Sequence, residues 1–297
     1  MDQLSLGGAT DEPRVEAGDA SPTDLPGVDH RPRSSTSRKS GEGVGARVLK
    51  LTVAYDGTGF HGFAAQRDQR TVEGVLTEAL SKVLRGAVEL ACAGRTDAGV
   101  HGWGQIVSAP LPSGTSPVDV DVDVDNVARS VSSQLGPEVV VRAAELVDDG
   151  FDARHSARWR TYRYTMVNRP SPDPFLARYA WWVQEPLDLR LLRLGADPFL
   201  GEHDFASFCR RGPEGSTTVR RVLDSRWHDE GDGVLRYEIR ATAFCWQMVR
   251  SIVGTLVDVG IGRLTPGDVL SILRARDRDA AGRVAPPHGL CLWDVGY

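Results

Sequence analysis

The run Ala93-Gly94-Arg95-Thr96-Asp97-Ala98-Gly99-Val100-His101-Gly102 sets one carboxylate among small, turn-forming residues. A guanidinium stands two positions before it and an imidazole four after. Gly94 and Gly99 carry no Cβ and let the backbone come close to a ligand. A carboxylate displayed in this way can attack an electrophilic carbon or take up a proton. An aspartate can also do no more than stabilise its own turn. These ten residues support both readings, and the elements around them must decide.

Arg47 to Tyr55 alternates, with Leu51, Val53 and Tyr55 on one face, as a strand does. Thr71 to Arg85 carries apolar residues at helical spacing, with Thr71 as cap and Gly86 as stop. Val88 to Cys92 reads as a short strand entering the Asp97 turn, and Gln105 to Ala109 as the strand leaving it. The carboxylate is thus expected on a loop between two strands, rigid yet exposed. A loop from Pro110 to Pro117 and an acidic run, Asp119 to Asp125, lead into a helix near Asn126. The Asp-x-Asp-x-Asp spacing of that run resembles a calcium loop, but Val124 stands where the turn needs Gly and Ser130 where a bidentate Glu belongs.

A second half begins near Gly150. Trp159 to Val167 predicts a strand with Tyr162 and Tyr164 on one face and Arg163 and Thr165 on the other. Helices are expected over 188–200, 246–259 and 265–276, a hairpin over 219–243, and a last strand over 290–295. Strands joined as hairpins and meanders, with a helix or two in each half, predict an α+β fold with mainly antiparallel sheets. The domains expected are a disordered tail over 1–46, an N-terminal half over 47–150 carrying Asp97, and a C-terminal half over 151–297.

With 297 residues and 41% hydrophobic content, the chain can bury a substantial core. No apolar run reaches the ~20 residues of a membrane span, and the tail lacks a signal-peptide pattern, so a cytoplasmic protein is expected. Cys92, Cys209, Cys245 and Cys291 form no Cys-x-x-Cys pair, which sets zinc aside and predicts reduced, partly buried thiols. The net charge of −5 argues at first against nucleic acid. Its distribution softens that objection, because Arg154, Arg158, Arg160 and Arg163 cluster, as do Arg210 and Arg211, then Arg220, Arg221 and Arg226, although a solvated surface is the commoner reading of any one such cluster. Of 35 basic residues 32 are arginine, the side chain that grips phosphate with a two-pronged fork.

Taken in order, these pieces resemble the tRNA pseudouridine synthase A family over nearly all of 47–297. They are Tyr55-Asp56-Gly57-Thr58-Gly59-Phe60, Arg70-Thr71-Val72-Glu73, the Asp97 run, and Phe151-Asp152-Ala153-Arg154-His155-Ser156-Ala157 with Tyr162-Arg163-Tyr164. Gly201-Glu202-His203-Asp204-Phe205, the segment 244–254 with Met248-Val249-Arg250, and Ala285-Pro286-Pro287-His288-Gly289-Leu290 follow. The resemblance implies isomerisation of uridine to pseudouridine at positions 38 to 40 of the tRNA anticodon stem-loop, without cofactor or metal. It further implies two halves sharing a central sheet around an RNA-binding cleft, and a homodimer whose subunits both touch one tRNA. Matched residue to residue, Asp97 is the catalytic carboxylate and Arg250 its partner. On the same match, the resemblance implies that Arg95 assists base flipping and that Tyr162 stacks on the uracil. Phe63 stands where the family often has Trp, and Cys245-Trp246-Gln247 precedes Met248 where histidines are frequent.

The chemistry suits these residue types. Pseudouridine formation breaks the C1′–N1 bond, turns the uracil and joins C5 to C1′, with no redox step or hydrolysis. A carboxylate serves as nucleophile on sugar or base, or as the base that takes a sugar proton. The target base must leave its stack at a cost of a few kcal/mol, and an aromatic ring returns ~1–3 kcal/mol of it. Leu290 is a candidate apolar wall for the uracil. Arg154, Arg158, Arg163, Arg210 and Arg211 are candidate phosphate contacts. The rival readings are a tRNA-binding protein or chaperone that has kept the fold without turnover, a metal-dependent nucleic-acid enzyme using Asp119, Asp121 and Asp123, and a pseudouridine synthase acting on another RNA or another tRNA site.

Overall fold

A computed structural model describes residues 47–111, 123–210, 212 and 215–297. The tail over 1–46, Asp119, Asp121 and Arg211 lie outside the described residues.

Strand β1 (Arg47–Tyr55) buries Leu49, Leu51, Val53 and Tyr55 on one face, so its alternation does what a half-covered strand requires. Helix α1 (Val72–Leu84) lays Val72, Leu76, Ala79 and Leu80 on that face, and the Thr71 side chain accepts from the Gly74 N–H. Its C-terminus is closed by Arg85, in the left-handed region at φ 54°, and not by Gly86 as the sequence suggests. The two-residue strand β2 (Ala91–Cys92) is shorter than expected, whereas β3 (His101–Pro110) starts four residues earlier. Helix α2 (Val124–Leu135) is capped by Asp123, whose carboxylate accepts from the Asn126 N–H at 2.9 Å. That residue of the acidic run is spent on a helix end.

Strand β4 (Val139–Asp148) has no counterpart in the sequence reading. Only Val139 and Val141 are buried in it, and the residues after them are exposed or half-buried, with no alternation of apolar and polar to mark a strand. Strand β5 (Trp159–Val167) and the short β6 (Trp181–Trp182) open the second half. Helix α3 (Leu189–Ala196) ends sooner than expected, because Pro198 sits in a 3₁₀ turn over Asp197–Phe199. Then come β7 (Gly201–Asp204), β8 (Val219–Asp229), β9 (Val234–Ala241), α4 (Met248–Gly260), α5 (Pro266–Ala275) and β10 (Leu290–Gly296). Thr265 and Asp268 form a capping box on α5.

All of these strands join one sheet in the order β4-β1-β3-β10-β5-β9-β8-β7, with β2 paired to β3 and β6 to β5. Its ladders are antiparallel except β10 with β3 and β5 with β6. Residues up to Leu146 build one apolar cluster around β1, α1 and α2. A second cluster is centred on α4, of which only Arg250 and Asp258 are not buried. The last strand forms the seam: Leu292 pairs with Gly102 of β3 on one side and Tyr162 of β5 on the other. That seam carries the Asp97 loop and Tyr162 to neighbouring positions.

The cysteines depart from expectation. Cys209 and Cys245 are joined as a disulfide, with Cα atoms 5.8 Å apart, while Cys92 and Cys291 are free thiols. Burial pushes both free thiols up to about 12, well away from reactivity at neutral pH. Partners 36 residues apart in the chain leave no spacing signature, so composition alone could not pair them.

Candidate active site

The loop between β2 and β3 is held by side chains that sequence reasoning did not single out. Gln105 donates to the Gly94 carbonyl at 2.6 Å and accepts from its N–H at 3.3 Å, a two-point grip on one peptide. The Tyr55 hydroxyl lies 2.8 Å from Thr96 Oγ1, and the Phe63 N–H donates to the Thr96 carbonyl at 3.0 Å. Phe63 is thus a core residue whose backbone braces the loop. Gly99 takes φ +76°, a left-handed conformation that a side chain resists. At Gly94 a Cβ would make no more than ordinary contact with the Tyr162 hydroxyl, at 3.4 Å. His101 closes the turn, with Nδ1 accepting from the Gly57 N–H at 3.0 Å. Its Nδ1 also lies 3.2 Å from Asp56 Oδ1, and its Nε2 lies 3.1 Å from the Arg178 and His288 carbonyls.

So braced, Asp97 stands out from the loop with 43% of its side chain exposed. Arg250, on the first turn of α4, brings Nη1 to 3.4 Å from Asp97 Oδ2. Its Nε donates to the Ala285 carbonyl at 2.7 Å, and the Ala285 N–H returns a bond to the Arg250 carbonyl at 3.0 Å. The guanidinium is therefore 14% exposed and fixed in direction. At 3.4 Å it faces the carboxylate without the close two-pronged pairing that would bury it.

Asp97 and Arg250 open onto a cavity of about 640 Å³, well within the range of small-ligand sites. Tyr162, Arg95, Leu290, Arg154 and Arg210 line the same cavity. The ring of Tyr162 is 8% exposed and meets Phe244 edge-on at 4.9 Å. Burial drives its hydroxyl pKa well above the ordinary tyrosine value, so it stays protonated. Leu290 opens β10 as a buried residue of the cavity wall. Arg95 is exposed and has no carboxylate partner among the described residues.

Two of the arginines expected at phosphates lie elsewhere. Arg163 is on the opposite face of β5 from Tyr162, where it bonds Glu238 at 2.6 Å and stacks on Trp293 at 3.9 Å. Arg158 is exposed away from the cavity lining. Conversely, Arg160 and Arg220 line the cavity although neither was picked out as a site residue. Their place in a basic cluster was visible, but which face of each strand meets the cleft was not.

A family model described as tRNA pseudouridine synthase matches residues 196–297. The tRNA pseudouridine synthase A of Leifsonia xyli is 42% identical over 268 residues, 85% of this chain and 92% of that protein. The chain belongs to the tRNA pseudouridine synthase A family. The protein of that name from Bacillus subtilis is 38% identical over 251 residues, covering 84% of this chain and 98% of its own. The one from Pseudothermotoga lettingae is 38% identical over 245 residues, covering 82% and 97%. The α+β architecture described above is accordingly the pseudouridine synthase fold of this family. No helix among the described residues is long and apolar enough to cross a membrane.

Proposed function

We propose that this chain isomerises uridine to pseudouridine at positions 38 to 40 of the tRNA anticodon stem-loop, with Asp97 as the catalytic carboxylate. Membership of the family supports the reaction and the tRNA substrate. The observation that carries the assignment of Asp97 is its half-exposed carboxylate at the cavity, opposite the tethered Arg250.

The reaction conserves every atom. The C1′–N1 bond breaks, the freed uracil turns within the cavity, C5 joins C1′, and the proton lost from C5 balances the one gained at N1. Asp97 acts as nucleophile or as base, and both roles need an ionised carboxylate that a substrate atom can reach. Arg250 supplies a fixed positive charge to that carboxylate without capping it. Tyr162 and Leu290 offer an aromatic face and an apolar wall to a flipped uracil, while Arg95 occupies the stack it left. The enzyme is expected to work as a homodimer in the cytoplasm, where tRNA is found, and no step of the isomerisation calls for a cofactor.

Incubating purified protein in EDTA with an unmodified tRNA transcript and mapping pseudouridine at single-nucleotide resolution tests the proposal. Signal confined to positions 38 to 40 supports it. Signal at other uridines keeps the chemistry and overturns the site, and tight binding without signal favours a tRNA chaperone.

The two faces of the sheet make a separate prediction. Affinity for tRNA should fall steeply with salt, because phosphate contacts release counterions. Arg154→Ala and Arg210→Ala should each flatten the log–log salt slope by about 1. Arg163→Ala should leave the slope unchanged, since that side chain faces away from the cavity and is paired with Glu238. Filter binding from 50 to 300 mM salt, on the order used for such slopes, reads all three.

A further inference from the structure

Arg160 is 9% exposed, yet no carboxylate accompanies it among the described residues. Burying a guanidinium without a counter-ion is costly unless its donors are satisfied. Here main-chain carbonyls satisfy them. Nε and Nη2 both donate to the Ala93 carbonyl, at 3.0 and 2.8 Å. Nη2 also reaches the Arg154 carbonyl at 2.8 Å, and Nη1 reaches those of Ala157 and Thr242 at 3.2 and 2.9 Å. Five bonds thus converge from one planar group whose donors have fixed directions.

The acceptors show what is being joined. Ala93 is the first residue after β2 and begins the loop that presents Asp97. The other three carbonyls belong to the second half of the chain. Gln105, Tyr55 and Phe63, which brace the same loop at Gly94 and Thr96, all belong to the first half. Arg160 is therefore the side-chain clamp that ties the start of the loop to the half carrying Tyr162 and Arg250. It also sits two residues before Tyr162 on β5 and shares its face, so one strand fixes both the loop and the stacking ring.

We propose that Arg160 is a positioning residue for the isomerisation: through the Ala93 carbonyl it sets the Asp97 carboxylate in register with Tyr162 and Arg250. The inference rests on the function proposed above. A displacement near 1 Å in such a site can cost on the order of 100-fold in rate, and the clamp acts on geometry, since its guanidinium donors are bonded to main-chain carbonyls.

The test compares Arg160→Lys, Arg160→Gln and Gln105→Leu with wild type, on an unmodified tRNA transcript. Single-turnover rate at saturating enzyme, tRNA Kd and far-UV CD melting are measured for each. Arg160→Lys keeps the charge and reaches one or two of the carbonyls but cannot hold all of them. It should fold, bind tRNA within about twofold of wild type, and turn over 10- to 100-fold more slowly. Arg160→Gln should be slower still, so that lysine is a partial rescue. Because Gln105 holds the adjoining peptide, the double variant Arg160→Lys, Gln105→Leu should be less impaired than the product of the two single effects. A folded Arg160→Lys with wild-type rate overturns the proposal, as does a loss wholly in Kd or strict additivity with Gln105. An unfolded Arg160→Lys also overturns it, by making the residue one of general stability. Wild-type protein that forms no pseudouridine sinks the underlying function instead, a result separable from all of these.

Discussion

Asp97→Ala should abolish pseudouridine formation on a tRNA transcript, a fall of roughly 10⁴-fold or more in single-turnover rate, the scale expected when a reacting group is removed. Binding of tRNA should survive within about threefold. The asymmetry follows from the loop. Asp97 contributes its carbonyl to the turn, accepting from the Val100 N–H at 3.1 Å. Its carboxylate meets Arg250 at 3.4 Å, and it holds no backbone group among the described residues. Truncation therefore leaves the loop braced by Gln105, Tyr55 and Phe63. Arg250 remains tied to Ala285, and its charge still favours a polyanion. Asp97→Asn keeps shape and polarity but not charge, and should lose as much. Turnover surviving in either variant would reduce Asp97 to a turn residue.

Gly254→Ala should cost about 3 kcal/mol of stability, against the ~1 kcal/mol that alanine normally gains over glycine within a helix. The opposite sign comes from packing. Gly254 lies on α4 where the segment leading to β10 crosses it, and a methyl group would overlap the Arg283 carbonyl and press on the Ala285 N–H at 3.3 Å. The segment has little room to retreat, because Ala285 is bonded in both directions to Arg250 one turn earlier. Thermal unfolding should show a Tm lower by roughly 6–12 °C for a domain of this size. Gly150→Ala is the control: nothing lies within 4 Å of a Cβ there, so its Tm should stay within about 2 °C of wild type. Equal melting of the two variants would mean that the crossing is loose.

Strong periodicity made most of the fold legible. The alternation of β5 and the apolar runs of α1 and α4 follow from burying one face of each element, and the sequence carries that pattern openly. What escaped was polar on its surface or long-range in its cause. β4 pairs with β1 along its length, with Leu51 opposite Ala144, and beyond its opening valines no alternation of apolar and polar residues marks it. The parallel pairing of β10 with β3 joins positions almost two hundred residues apart, beyond any local signal. Asp97, Tyr162, Arg250 and Leu290, named through motif order, all line one cavity. Arg160 and Gln105 were passed over because nothing local distinguishes a buried arginine from a solvated one. Arg163 shows the converse error, in which the same cluster of basic residues is divided between two faces of one strand.

The place of β10 has a consequence for biosynthesis. The strand is made after every other described strand, yet it is inserted between two made much earlier. A nascent chain can collapse each apolar cluster as it emerges, but β3 and β5 have no shared neighbour until 290–296 clears the ribosome. Closing so distant a contact is entropically slow. Chains cut short upstream of Leu290 therefore carry Asp97 and Tyr162 without the strand between them. Insertion of that strand between β3 and β5 is thus a late event, and it is the step that joins the two apolar clusters.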